Sequence, residues 1–256
     1  MTASVVSLAV TAVKGTRLRP VDEIELEPGG VRDNRRFFVI DGRDRMRNGK
    51  QLGELTSVVS AYAESDRVLT LTFPDGTAVS GRVEHDGLIS TSFFSRQVDA
   101  HLIEGPWSSA LSDHVGQPLR LVEAAGGVDR GRRGAVSLIS RASLARLAEA
   151  AGEPEVDARR FRMLVEIDGV RAHQEDEWVG RGLRIGAARV TMRGHVGRCL
   201  VTSRDPVTGE IDLPTLDLLR EYRGDADTTE PLPFGIYGEV LEPGPVRVGD
   251  PVRLLD

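Results

Sequence analysis

The chain has 256 residues, 40% hydrophobic and 28% charged, with a formal net charge of −6. That is enough chain for one large core or two smaller ones, and the acidic balance argues against general nucleic-acid binding. With no apolar run of about eighteen residues, no membrane span is expected, and a single cysteine excludes an internal disulfide and suits a reducing cytoplasm.

Residues 3 to 13 are apolar and valine-rich. They lack a basic leader region and predict a β-strand rather than a signal peptide. Lys14-Gly15-Thr16-Arg17 follows as a turn carrying two cations. Strands are expected at Val21–Leu26, in the second half of Val31–Gly42, and at Val68–Phe73, the last closed by Pro74-Asp75-Gly76. Arg43 to Lys50 is a polar, basic connection. Short strands at this spacing predict a barrel or sandwich for residues 1–100.

Residues 101–256 read as a second unit. Leu119–Val122 is expected to open it, followed by a Gly/Arg-rich loop over Ala124–Gly134. Ser140 is the candidate N-cap of a helix over Arg141–Ala151, with Leu144 and Leu147 on its buried face and Gly152 as its stop. Phe161–Gly169, Leu183–Ile185 and Ala188–Met192 read as strands. The intervening Glu175-Asp176-Glu177-Trp178 reads as a solvated turn. A helix begins near Asp212-Leu213-Pro214 and ends at Gly224. Phe234–Val240 and Val246–Val252 close the chain as strands, with Gly249-Asp250 expected to make a hairpin. The fold class is mainly β with a few helices (α+β): an N-terminal β-barrel-like domain over 1–100 and a C-terminal β-barrel domain over 101–256.

Two residue types stand out. Of 33 basic residues only Lys14 and Lys50 are lysine, and lysine offers the compact charge that suits a phosphate. The only cysteine lies in Arg198-Cys199-Leu200-Val201-Thr202-Ser203-Arg204-Asp205-Pro206-Val207-Thr208-Gly209, just before a turn signal. On chemistry alone Cys199 is either a small buried hydrophobe or a thiolate, which binds soft metals and acts as a nucleophile near cations. His195 lies four residues upstream and is either structural or a proton donor. The histidines at 85, 101, 114 and 173 show no paired metal-ligand spacing.

The segment formed by Arg198, Cys199, Thr202, Asp205, Pro206, Thr208 and Gly209 resembles the signature of the molybdenum cofactor sulfurase C-terminal (MOSC) domain family. Phe234-Gly235-Ile236-Tyr237 and Val248-Gly249-Asp250 continue the likeness, and the first hundred residues resemble the β-barrel domain that often precedes a MOSC domain. The resemblance implies a molybdenum cofactor, Mo-molybdopterin, with Cys199 as the protein's ligand to the metal. It implies cofactor contacts from Lys14, Arg17, Arg35, Lys50, Ser140, Arg162, Arg198 and Thr202, in a cleft between the two units.

Some positions depart from the family pattern. Asn34, Phe37, Asn48 and Lys50 differ in the N-terminal part, and Met163-Leu164 stands where the family usually reads Pro-Asn, which predicts an apolar wall at the site. Relatives such as the mitochondrial amidoxime-reducing component imply reduction of N-hydroxylated small molecules. With no iron–sulfur cysteines and no dinucleotide fingerprint, electrons would come from a separate reductase. Competing readings are a sulfur-transfer or C–S-cleaving role for Cys199, a non-catalytic cofactor carrier, and an imine-forming role for the two lysines.

Overall fold

The computed structural model describes residues 3–94, 96–124 and 131–255. Its largest feature is a closed barrel of seven strands. Going round, Val165–Asp168 pairs with Val136–Ser140, then Pro233–Glu242, Ala188–Gly197, Gly182–Ile185, Pro251–Leu254 and Ala3–Val10, which returns to Val165–Asp168. Within the barrel Val136–Ser140 runs parallel to Val165–Asp168, and the helix Arg141–Ala151 bridges them, since a parallel neighbour needs a crossover. The barrel interior is filled by alternate residues of these strands, among them Val5, Leu8, Leu138, Val165, Ile167, Leu183, Val190 and Ile236.

Between the first strand and the rest of the barrel the chain makes two further sheets. One has five strands in the order Met46–Arg47, Phe37–Ile40, Arg120–Ala124, Arg96–Glu104 and Glu84–Phe93. The other is an antiparallel meander of Val59–Ala63, Val68–Thr72 and Ala78–Arg82. They share a core of Phe37, Val39, Leu55, Tyr62, Leu69, Leu71, Trp107 and Leu121. Trp107 starts the helix Trp107–Val115, and its indole N–H donates to the Leu69 carbonyl at 3.1 Å, satisfying a buried donor.

Several expectations change once the strands are paired. Residues 100 and 101, the expected domain boundary, are neighbours inside the strand Arg96–Glu104. Leu119–Val122 does not open the C-terminal unit, because Arg120–Ala124 pairs with Phe37–Ile40 and with Arg96–Glu104. Residues 125–130 of the expected Gly/Arg-rich loop lie outside the described residues. Gly249-Asp250 does turn the chain, and the Arg247 amide donates to the Asp250 carboxylate at 2.7 Å. The flanking strands part there: Gly244–Arg247 pairs with Glu23–Leu26, while Pro251–Leu254 joins the barrel. A tight turn fixes chain direction but not the strand partner.

The acidic run is not a solvated turn. Glu175 is 0% exposed, and its carboxylate accepts from the hydroxyls of Ser143 at 2.7 Å and Ser140 at 2.9 Å. Trp178 joins the barrel core, and only Glu177 of the four is exposed. Ser140 also caps the helix by accepting from the Ser143 amide at 3.1 Å. The Ser-Glu pair therefore ties the start of the crossover helix to the loop over 173–178.

Candidate functional site

Cys199 is exposed and stands at the N-cap of a 3-10 turn, Leu200–Ser203. The turn is locked from behind. The amide and hydroxyl of Thr202 both donate to the Cys199 carbonyl at 3.0 Å, and the Thr215 hydroxyl donates to the Thr202 carbonyl at 2.9 Å. Thr202 is itself 0% exposed, so it positions the cysteine backbone rather than facing a ligand. The next residues form an Asx turn, in which the Asp205 carboxylate accepts from the amides of Val207 at 2.8 Å and Thr208 at 2.7 Å.

That turn is pressed against the N-terminal sheets. Gly209 has φ +82°, and a Cβ there would overlap the Gly53 carbonyl, just as a Cβ at Gly53 would overlap the Arg204 guanidinium. Two glycines thus allow the two parts of the chain to touch backbone to backbone. Arg204 donates to the Gly209 carbonyl at 2.6 Å, and Arg17 to the Val207 carbonyl at 2.9 Å. No sequence signal singles out Gly53, whose partner is more than 150 residues away.

The cations converge from both parts. Lys14 follows the first barrel strand, and its amide donates to the Phe37 carbonyl at 2.7 Å. Arg35 precedes the strand Phe37–Ile40, with its amide on the Thr11 carbonyl at 2.6 Å and its guanidinium on the Arg162 carbonyl. The Arg162 guanidinium reaches back to the Thr16 carbonyl at 2.7 Å. Arg35 and Arg162 both have φ 55°, in the left-handed region that arginine seldom adopts.

Their charges feel one another. Burial, then the charges of Arg35 and Arg162, pull the Lys14 ammonium well below its usual range, and Cys199 opposes that fall. Burial, then Arg162, pushes Arg35 down to about 9, and burial pushes Arg162 down to about 10. Three half-buried cations, all lowered by desolvation and two of them, Lys14 and Arg35, also by neighbouring positive charge, make a place where an anion is stabilised. The exposed thiol of Cys199 is within electrostatic reach of that group.

The remaining candidates fall elsewhere. Arg198 is clamped into the scaffold: it donates to the carbonyls of Phe234 and Phe161, each at 2.8 Å, and lies 5.2 Å from the Phe161 ring. It holds the loop that presents Arg162. Lys50 is exposed, with its carbonyl 3.4 Å from the Arg204 guanidinium. Ser140 is 0% exposed and bonded to Glu175. Leu164 does not form a wall of the site; it is 4% exposed and packs in the barrel core.

His195 is 5% exposed and faces a different cluster. Its Nδ1 accepts from the Thr229 amide at 3.1 Å, and its Nε2 lies 3.7 Å from Asp176. Asp176 also accepts from Arg223 at 2.7 Å. Burial lowers the His195 pKa, with Asp176 opposing and Arg223 assisting.

Comparison with known proteins gives the family. The MOSC domain family model matches residues 124–253, half of the chain. The chain belongs to the MOSC domain family. MOSC relatives include "Mitochondrial amidoxime-reducing component 1" of Xenopus laevis, 26% identical over 280 residues, which cover 96% of this chain and 80% of that protein. "Mitochondrial amidoxime reducing component 2" of Homo sapiens is 39% identical over 107 residues, 39% of this chain and 31% of that protein. This chain therefore matches about a third of the human protein's length. Among solved structures, the YuaD protein of Bacillus subtilis aligns with TM-score 0.48 and 14% identity over 98% of this chain and 94% of that one. No helix among the described residues is long and apolar enough to cross a membrane.

Proposed function

We propose that this MOSC protein holds a molybdenum cofactor where its barrel meets the N-terminal sheets and reduces N-oxygenated small molecules with electrons from a separate donor protein. The observation that carries this reading is the exposed Cys199 beside the group formed by Lys14, Arg35 and Arg162. The residues fit the group. A molybdopterin brings a phosphate and a dithiolene, both anionic, and the three cations suit them. Among the described residues no three His, Cys, Asp or Glu side chains converge as a metal site, so a metal at Cys199 would take its other ligands from the cofactor.

In this reading Arg35 and Arg162 hold the anionic cofactor from opposite sides of the junction. Lys14, whose charge is felt together with that of Cys199, offsets negative charge there. Thr202 and the Asp205 turn fix the direction of the thiolate. The bound cofactor supplies two-electron chemistry. In the overall reaction an N–O bond breaks, two electrons and two protons enter, and the amine-level product leaves with water. His195 stands apart, buried against Thr229 and Asp176, and takes no part in this reading.

The test is elemental analysis of the purified chain and of Cys199→Ser. Molybdenum near one per chain in the parent and its loss in a folded variant support the reading. The exposed thiol equally suits a sulfur carrier. A labile persulfide on Cys199 without bound molybdenum overturns the cofactor reading in favour of that one. A loaded protein that turns over no N-oxygenated compound with a reduced donor is a cofactor carrier instead.

A further inference from the structure

The hairpin of Glu84–Phe93 and Arg96–Glu104 carries Phe94 at its tip, because Phe93 pairs directly with Arg96. Phe94 is unusual in two ways at once. It is 65% exposed, and its φ is 55°, at a turn position where asparagine or glycine is the usual choice. Neither property helps the hairpin fold. A glycine would remove the backbone strain, and a polar residue would remove the exposed apolar surface. Leu88 on the same hairpin is as exposed but lies in a regular strand.

What Phe94 stands beside supplies the reason. The Lys14 ammonium lies 5.6 Å from the centre of its ring and 5.6 Å from the Phe93 ring. Lys14 is the cation that feels Arg35, Arg162 and Cys199. Phe94 therefore borders the candidate site. Its ring is also held in place from below. It meets Phe93 edge-on at 5.2 Å and 86°, and Phe93, 1% exposed, meets Phe38 in the same way at 5.2 Å. A chain of three rings thus runs from the core of the sheet to the rim of the site. The outermost ring is left largely open.

We propose that Phe94 is an aromatic platform that selects flat, conjugated N-oxygenated substrates at the Cys199 site. This rests on the function proposed above. A flat substrate lays its conjugated system against the exposed ring, while its polar N–O end lies toward Lys14 and the thiol. A small aliphatic substrate has little surface to place there and gains little from the ring. Phe94 touches substrate without touching the reacting bond, so its effect falls on selectivity between substrates.

The test uses the cofactor-loaded chain with a reduced viologen dye as electron source. kcat/KM is measured for benzamidoxime and for acetamidoxime in the parent, Phe94→Ala, Phe94→Tyr and Phe94→Gly. In parallel, calorimetry measures binding of benzamide, which is flat, uncharged like an amidoxime and has no N–O bond to reduce. Phe94→Ala is expected to lower the benzamidoxime-to-acetamidoxime ratio about two- to tenfold, the range of an aromatic pair. Benzamide affinity should fall by a similar factor, and Phe94→Tyr should restore both. Phe94→Gly should raise the thermal unfolding midpoint while losing the selectivity, the mark of strain kept for binding. An unchanged ratio together with unchanged benzamide affinity overturns the platform. If the parent reduces neither compound, the proposed reaction fails. The platform is then judged by benzamide alone: loss of its binding in Phe94→Ala keeps it, and no change removes it.

Discussion

Two groups of charges in the molecule are built on opposite rules. The group of Lys14, Arg35 and Arg162 gathers cations that repel one another beside an exposed thiol. The group of Asp176, Arg223, His173 and His195 is shut in around one ion pair, and both ring nitrogens of His173, Nε2 of His195 and Oδ1 of Asp176 are buried with no hydrogen-bond partner among the described residues. Arg223, 7% exposed, donates to Asp176 at 2.7 Å and to the Pro233 carbonyl at 2.9 Å, with the two histidines packed close by. An ion pair closed off from solvent holds a fold together, whereas like charges gathered beside an exposed thiol serve a ligand. The difference separates Arg162 from His195, both candidates by sequence.

The largest effect should come from the closed group. Arg223→Met leaves the half-buried Asp176 without its main partner, and unfolding free energy should drop by about 2–4 kcal/mol in denaturant titration. A drop below about 1 kcal/mol would mean that the Arg223–Asp176 pair does not hold the group together. The acid side of the stability profile gives the next effect. Burial, with Arg223 and Arg146 adding to it and Asp176 opposing, pushes His173 down to about 4, and His195 is also lowered. Both are neutral in the folded chain. The unfolded chain takes up their protons first, so this stability is intact above about pH 6.5 and is lost as pH falls toward about 4. The expected loss is about 2 kcal/mol, and His173→Asn, which tolerates the left-handed backbone there, should flatten the slope.

The open group gives the smallest change in stability and the sharpest contrast. Arg35→Met loses hydrogen bonds but relieves repulsion, so its unfolding free energy should stay within about 1 kcal/mol of the parent. Its molybdenum content should nevertheless fall. A variant that keeps full metal, or that unfolds as easily as Arg223→Met, would erase the distinction between the two groups.

The departures from the sequence reading share one form. Glu175 was assigned to solvent because a run of acids usually is, yet Ser140 and Ser143 sit across from it on another segment. Leu164 was assigned to the site by its place in a motif, yet it lies in the bend just before the strand Val165–Asp168 and packs with Val165 in the barrel core. Gly249-Asp250 was read as a hairpin from the turn alone, and the flanking strands found distant partners. In each case the local pattern was legible and the partner was not.

From sequence alone came what neighbours along the chain impose. The helix Arg141–Ala151 with its serine cap and glycine stop, the strand alternation, and the Cys199–Gly209 turn all rest on residues within a few positions of one another. Tertiary structure decided the rest: which strand closes the barrel, how Gly53 admits Gly209, and which cations stand beside the thiol. Lys14, Arg35, Arg162 and Cys199 are spread over some 185 residues, and their meeting depends on sheet pairing across that distance. Pairing energy is set by surfaces that exist only after folding, so a linear pattern carries the candidates but not their company.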